Sequence, residues 1–222
     1  IIPSRMASKR FPNKPMAKIN GIPMIERVWK QGINSKVGNV YVACSEDVVF
    51  NLITSKGGNA IMTDPNLPSG TDRVFEAFNL LKNKEDYESI INLQGDMPLI
   101  DYSNIQSANI PLKNGFDIGT IATNISNEEI KNENITKVSI AWEKEGIVGN
   151  CIDFYKSVKT QQKNIYQHVG IYSFKPRALK KFITLPQSKN EIDRKLEQLR
   201  AIDAGIKIGI TYVENVPISV DT

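Results

Sequence analysis

The sequence predicts an α/β fold with a mainly parallel central sheet flanked by helices. Strand-like apolar runs alternate with amphipathic helical stretches along most of its 222 residues, the order that βαβ units produce. Hydrophobic residues make up 41% and charged residues 23%, enough apolar material for a real core. At about 118–183 the pattern changes. Strands there are separated by polar, Asn- and Lys-rich stretches, which predicts an antiparallel excursion within a single domain, 1–222.

Ile1-Ile2 reads as a strand end that Pro3 breaks, and the loop after it carries Arg5, Lys9, Arg10 and Lys14. Cations this crowded repel one another unless something negative sits among them. In an α/β sheet the loop leaving a strand's carboxyl end is also where ligands bind. A polyanion such as a nucleoside triphosphate fits that place, with arginine as a planar fork for phosphate oxygens and lysine as a point charge. A solvated basic loop is the plainer alternative. Gly21-Ile22-Pro23 then opens a helix through Met24, Ile25, Val28 and Trp29, with proline in the first turn, where its missing N–H costs least. Residues 39–44 form the next strand, and Ser45-Glu46-Asp47 caps a helix that stops at Gly57-Gly58. A short strand at 60–62 precedes a helix begun by Ser69-Gly70-Thr71-Asp72 and carrying Val74, Ala77, Phe78 and Leu81. Residues 89–93 make a buried central strand that runs into Gln94-Gly95-Asp96. In the excursion, strands are expected at 118–123, 137–142 and 166–174. A helix over 191–204 and a strand over 206–212 then return to the α/β pattern.

Several of these residues have two readings. Asp96 follows the most apolar strand, where an aspartate holds Mg²⁺ beside substrate phosphates or merely caps the next turn. Asp221 also follows an apolar stretch and would complete a metal pair with Asp96. Ser69 and Gly70 bring backbone close to a nucleobase or phosphate at a helix N-terminus, or Ser69 simply caps that helix. His168 opens an apolar strand, where a lone histidine is usually structural, with Gly170 leaving space on the same face. Glu197 and Arg200, three apart on an expected helix, form a surface pair.

Composition excludes other classes. A net charge of +4 suits small anions and is too weak and dispersed for nucleic acid. Cys44, Cys151 and one histidine form neither a zinc site nor a disulfide framework, which makes a reducing cytoplasm the default. No apolar run approaches the roughly 20 residues that cross a bilayer, and no secretory signal is visible. The chain opens at Ile1 without methionine and stops at Thr222, so both ends look trimmed.

Taken together, the motifs resemble the 3-deoxy-manno-octulosonate cytidylyltransferases, or CMP-Kdo synthetases. Pro3, Arg5, Ser8, Arg10, Pro12, Lys14 and Pro15 match the family's P-A-R-x-x-S-x-R-x-P-x-K-P loop. I-x-G-x-P-M-I follows at 19–25, S-G-T-[DE]-R at 69–73 and N-x-Q-G-D-x-P at 92–98. H-x-G-I-Y at 168–172, L-E-Q-L-R at 196–200 and V-D-T at 220–222 complete the order, nearly end to end. The resemblance implies a glycosyltransferase-A-like nucleotidyltransferase, homodimeric through the excursion, that couples CTP to the acidic sugar Kdo with Mg²⁺. It assigns Arg5, Arg10 and Lys14 to the triphosphate, with Arg5, Lys14 and Asp96 as the catalytic set. It puts Ser69 and Gly70 near cytosine, and Asp96 and Asp221 on the metal. Gln94, His168, Glu197 and Gln198 would face the sugar. The chain departs from the family at Ser45 (usually Asp), Met97 (usually Glu), Asp153-Phe154-Tyr155-Lys156 (usually Y-F-S-R) and Arg194 (commonly Glu). These departures bear on the sugar more than on the nucleotide. Another 2-keto sugar acid (amino-Kdo or a nonulosonate), or a non-catalytic sugar-nucleotide binder, is the alternative.

Overall fold

The computed structural model describes residues 1–7, 11–142, 147–158 and 164–216. Lys9, Arg10 and Asp221 therefore lie outside the described residues. The chain divides into two compact units, with Ile1–Gln106 in the first and Ser107–Val216 in the second.

In the first unit β1 (Ile2–Pro3) leads through a 3₁₀ turn at Lys14–Met16 to β2 (Lys18–Ile19), β3 (Ile22–Pro23) and α1 (Met24–Asn34). Then come β4 (Tyr41–Cys44), α2 (Asp47–Ser55), β5 (Asn59–Met62), α3 (Gly70–Asn79), β6 (Ile90–Asn92) and α4 (Tyr102–Ser107). β4 pairs in parallel with β1 on one side and β5 on the other. Ile1 N donates to Ile91 O (2.7 Å) and Leu93 N to Ile1 O (3.1 Å), which sets β6 on the far side of β1. The expected parallel sheet with flanking helices is thus present here. Ile2, Val42, Ala43, Val49, Ile53 and Val74 are fully buried in its core.

Two starts differ from expectation. Asn20 (φ 48°) and Gly21 (φ 77°) form the two-residue turn of a β2–β3 hairpin, because Asn-Gly tolerates the left-handed pair such a turn needs. Pro23 therefore precedes α1 instead of lying in its first turn. Glu46 is the N-cap of α2 but makes no side-chain cap. One oxygen of its carboxylate accepts from Met6 N (3.0 Å) and ties down the loop after β1. The stop at Gly57-Gly58 stands: with Gly57 at φ 77°, Gly58 N donates to Ile53 O at 3.0 Å and closes the helix end.

The second unit holds α5 (Ile110–Lys113), β7 (Ile118–Thr123), β8 (Lys137–Trp142), β9 (Val148–Tyr155), β10 (Ile165–Phe174), α6 (Pro176–Thr184), α7 (Lys189–Arg194), α8 (Leu199–Asp203) and β11 (Ile208–Tyr212). Its strands run in the order β10-β7-β11-β9-β8, and β8 pairs again with β10, so the sheet closes on itself. Every pairing is antiparallel except β11 with β7. β11, expected to return to the α/β pattern, pairs in parallel with β7 and antiparallel with β9 and so completes this closed sheet. β9 escapes the sequence reading because Asn150 and Asp153 interrupt its apolar run.

The helix expected over 191–204 is broken in two. Ser188 and Glu191 form a capping box at the start of α7, and Lys195 at φ 53° turns the chain into the left-handed region. Arg200, expected in a surface pair with Glu197, is buried instead. The Arg200 guanidinium forks onto Glu191 at 2.6 and 2.8 Å, and both side chains are buried. A bidentate pair with its charges largely out of water needs such geometry to hold.

Candidate functional site

In the first unit the end of β1, the 3₁₀ turn, the start of α3 and the turn after β6 surround a cavity of about 230 Å³. Arg5, Lys14, Ser69, Gly70, Gln94 and Asp96, scattered over ninety residues, all line it. The approach depends on Gly95: a Cβ there would sit 2.9 Å from the Pro3 carbonyl oxygen, so only glycine lets this turn close on β1. Lys14 is delivered by the 3₁₀ turn, which Asn13 enters at φ 58° and the buried Pro15 anchors. Its ammonium lies 3.0 Å from Asp96 Oδ2. Cation and carboxylate are in direct contact on the wall of the cavity that a phosphate or metal would enter.

Ser69 settles into the capping reading. Its Oγ accepts from Thr71 N (3.1 Å) and Asp72 N (3.2 Å) and donates to Asp72 Oδ2 (2.6 Å), which leaves it no proton to offer. Gly70, at the first position of α3, presents open backbone to the cavity. Gln94 Nε2 donates to Asn92 Oδ1 at 3.0 Å, which fixes the amide against the cavity wall.

Two lining residues were missed from sequence. Arg73 is only 2% exposed, its Nη1 donates to Thr63 Oγ1, and its Nη2 makes no hydrogen bond among the described residues. Burial pulls this guanidinium below its usual pKa, the Glu46 charge opposes that, and the Arg5 charge adds to it. The buried Ser4 Oγ is likewise unsatisfied among the described residues. Orphaned buried polar groups on a cavity wall indicate a polar ligand. The available signal was a charged residue on the buried stripe of α3, between Thr71 and Val74.

His168, Glu197 and Gln198 belong to the second unit. His168 Nε2 lies 2.9 Å from Thr120 Oγ1, whose hydroxyl is 2.7 Å from the Ile171 carbonyl, where β10 bulges. With that proton given to the carbonyl, Oγ1 accepts from Nε2–H and leaves Nδ1 as the acceptor. The imidazole meets Phe154 edge-on at 4.9 Å and lies 5.3 Å from the Tyr172 ring. Burial pushes its pKa from 6.5 down to about 3, so it is neutral at physiological pH. Unfolded, it gains a proton near pH 6.5. The stability it supports is therefore complete above that pH and is lost as pH falls toward 3. Between pH 7.5 and 4.5, urea unfolding is expected to show a larger stability loss for the wild type than for His168→Gln. Equal losses would mean that burial does not hold the ring neutral. Glu197 and Gln198 lie half-buried in the turn between α7 and α8. Glu197 is close enough to Tyr172 for its charge, after burial, to help raise the phenol's pKa.

The sequence matches the family described as Cytidylyltransferase over residues 1–208. A 3-deoxy-manno-octulosonate cytidylyltransferase of Paramagnetospirillum magneticum is 40% identical over 225 residues, covering 100% of this chain and 92% of that protein. One of the same name from Rickettsia rickettsii is 40% identical over 225 residues, covering 100% and 91%. A solved CMP:2-keto-3-deoxy-manno-octonic acid synthetase complexed with CTP superposes with a TM-score of 0.90 at 31% identity, covering 100% of this chain and 91% of that one. A 4-diphosphocytidyl-2C-methyl-D-erythritol synthase from Anaerococcus prevotii, TM-score 0.64 at 10% identity, covers 100% of this chain and 91% of its own and shares the fold alone.

Proposed function

The chain belongs to the cytidylyltransferase family, and on that premise we propose that it couples CTP to 3-deoxy-manno-octulosonate, releasing pyrophosphate and forming CMP-Kdo for lipopolysaccharide assembly. One observation carries the reading: cations, a helix N-terminus and a carboxylate from distant parts of the chain line one cavity. In this reaction a sugar hydroxyl attacks an α-phosphate that already bears negative charge. Positioning and charge neutralisation are therefore the protein's main task, and no side-chain nucleophile is required. Arg5 and Lys14 take the triphosphate, with Arg10 assigned by resemblance. Arg73, on the same cavity wall with Nη2 unpaired among the described residues, adds a further cation for that ligand, and Gly70 lets the nucleotide approach the backbone at the start of α3.

Magnesium suits the donor set. Asp96 offers hard oxygen on the cavity wall and already holds one cation, the Lys14 ammonium at 3.0 Å. Asp96 would hold the ion, and Asp221 would share it by resemblance. When bound, Mg²⁺ neutralises phosphate charge and lowers the pKa of the attacking hydroxyl. Gln94, His168, Glu197 and Gln198 are the residues the resemblance gives to the sugar, His168 as a neutral hydrogen-bonding ring.

The resemblance also carries a cytoplasmic location and a homodimer into this reading. No helix among the described residues is long and apolar enough to cross a membrane. Light scattering at micromolar concentration tests the dimer. Pyrophosphate release with CTP, Mg²⁺ and a panel of keto-sugar acids tests the reaction, with the highest kcat/KM expected for Kdo. A preference for amino-Kdo or a nonulosonate would reassign the substrate. No release with any sugar would leave a non-catalytic binder.

A further inference from the structure

Arg194 is the last residue of α7, immediately before the left-handed Lys195 that starts the turn carrying Glu197 and Gln198. Its side chain is unusually committed. Nη1 lies 3.0 Å from Asp153 Oδ1, both terminal nitrogens lie 3.1 Å from Asp153 Oδ2, and Nη2 also donates to the Phe154 carbonyl. The guanidinium stacks over the Tyr155 ring at 5.1 Å. Three consecutive residues of β9 thus grip one side chain at the end of α7. At the other side of the same turn, Arg200 of α8 is locked to Glu191 of α7.

Stability alone does not account for this arrangement. The Asp153 and Arg194 side chains are 29% and 30% exposed, and ion pairs that wet add little to folding. An arginine at a helix C-terminus also needs no carboxylate partner to interact well with the last carbonyls. The contacts continue into the residues read as facing the sugar. Phe154, whose carbonyl takes Arg194, lays its ring against His168, and His168 packs on Tyr172. Positions 153 and 194 are both departures from the family's usual residues, and here they are each other's partners. An arginine at a position commonly acidic has come together with an acid opposite it.

We propose that the Asp153–Arg194 pair is a positioning device for the keto-sugar: it fixes the turn after α7, and with it Glu197 and Gln198, relative to His168. This rests on the reading that these residues face the sugar. Arg194 acts through the turn and through Phe154, not as a catalytic residue.

The test is steady-state kinetics of pyrophosphate release with Kdo, varying each substrate, for wild type, Arg194→Ala, Asp153→Asn and the exchanged Asp153→Arg/Arg194→Asp. Both single variants are expected to raise KM for Kdo about tenfold and leave KM for CTP within about twofold. The exchanged pair is expected to recover most of the loss. Arg194→Lys, which keeps the charge and loses the fork, reads out the same way if Arg194→Ala does not fold. The inference is overturned if Asp153→Asn leaves KM for Kdo unchanged or lowers it, since Arg194 would then act alone as a charge. It is also overturned if both KM values shift together with a fall in melting temperature, the mark of a purely structural pair. A wild-type enzyme inactive on Kdo and active on another keto-sugar overturns the substrate assignment instead, and the same variants then read the pair with that sugar.

Discussion

Asp96→Asn is expected to lower kcat for pyrophosphate release by about three orders of magnitude, a loss of about 4 kcal/mol of transition-state stabilisation. The melting temperature is expected to move by less than about 2 °C. The asymmetry follows from where Asp96 sits. It lies in the turn after β6, its side chain is 31% exposed, and its ion pair with Lys14 at 3.0 Å is only partly buried. A pair of that kind contributes about 0–1 kcal/mol to folding. An asparagine there fills the same volume and holds neither the lysine nor a divalent ion as a carboxylate does. The measurement is kcat at saturating CTP and Kdo, beside thermal unfolding with and without Mg²⁺ and CTP. The stabilisation that CTP and Mg²⁺ give together should shrink in the variant, because a ligand that binds less tightly shifts the folding equilibrium less. Turnover within tenfold of wild type would remove Asp96 from the proposed metal site and leave the cavity as an anion cradle alone.

The residues that surround this cavity were legible where chemistry and local spacing coincide. The basic loop announces itself within one stretch of chain, and Gln94-Gly95-Asp96 follows directly from an apolar strand, so both are visible without knowing the fold. The start of α3 was equally plain, and Ser69 caps as its position suggests. What failed needed three dimensions. Glu46 reads as a helix cap from its neighbours, yet its carboxylate is taken by the backbone of Met6, forty residues away. The spacing of Leu196, Leu199 and Ile202 reads as one helix stripe. The buried Glu191–Arg200 pair rewards a break between them instead, and Lys195 supplies it by entering the left-handed region. β11 looks like any βαβ strand because it is short, rich in isoleucine and preceded by a helical stretch. Whether such a strand joins an open parallel sheet or a closed one is decided by its neighbours β7 and β9, which no local pattern specifies. Asp153 and Arg194 appeared as two unrelated oddities forty-one residues apart, and only their pairing gives either a reason.

Arg73 carries the second large expectation, because stability and function should move in opposite directions there. A guanidinium this buried, with Nη2 unsatisfied among the described residues and Arg5 adding like charge, is costly to keep in the ligand-free protein. Its Nη1 donates to Thr63 Oγ1, which itself donates to the Cys44 carbonyl at 3.0 Å and stays satisfied without it. Arg73→Met keeps the length and apolar stem and removes the charge. It is expected to raise the melting temperature by about 3–6 °C, as about 1–2 kcal/mol of desolvation cost is relieved. The same change is expected to lower kcat/KM for CTP by about a hundredfold, near 2.7 kcal/mol, the scale of losing one charged donor to a phosphate or carbonyl oxygen. Arg73→Lys should recover little, since a point charge on a shorter reach cannot supply both the Thr63 bond and a second donor aimed at the ligand. Thermal unfolding without nucleotide, paired with CTP saturation kinetics, separates the two effects. A cation retained at a cost to folding is explained by the ligand it serves. A variant that melts lower and turns over normally would show that Arg73 is a strut of α3 and that the nucleotide is held without it, by Arg5 and Lys14.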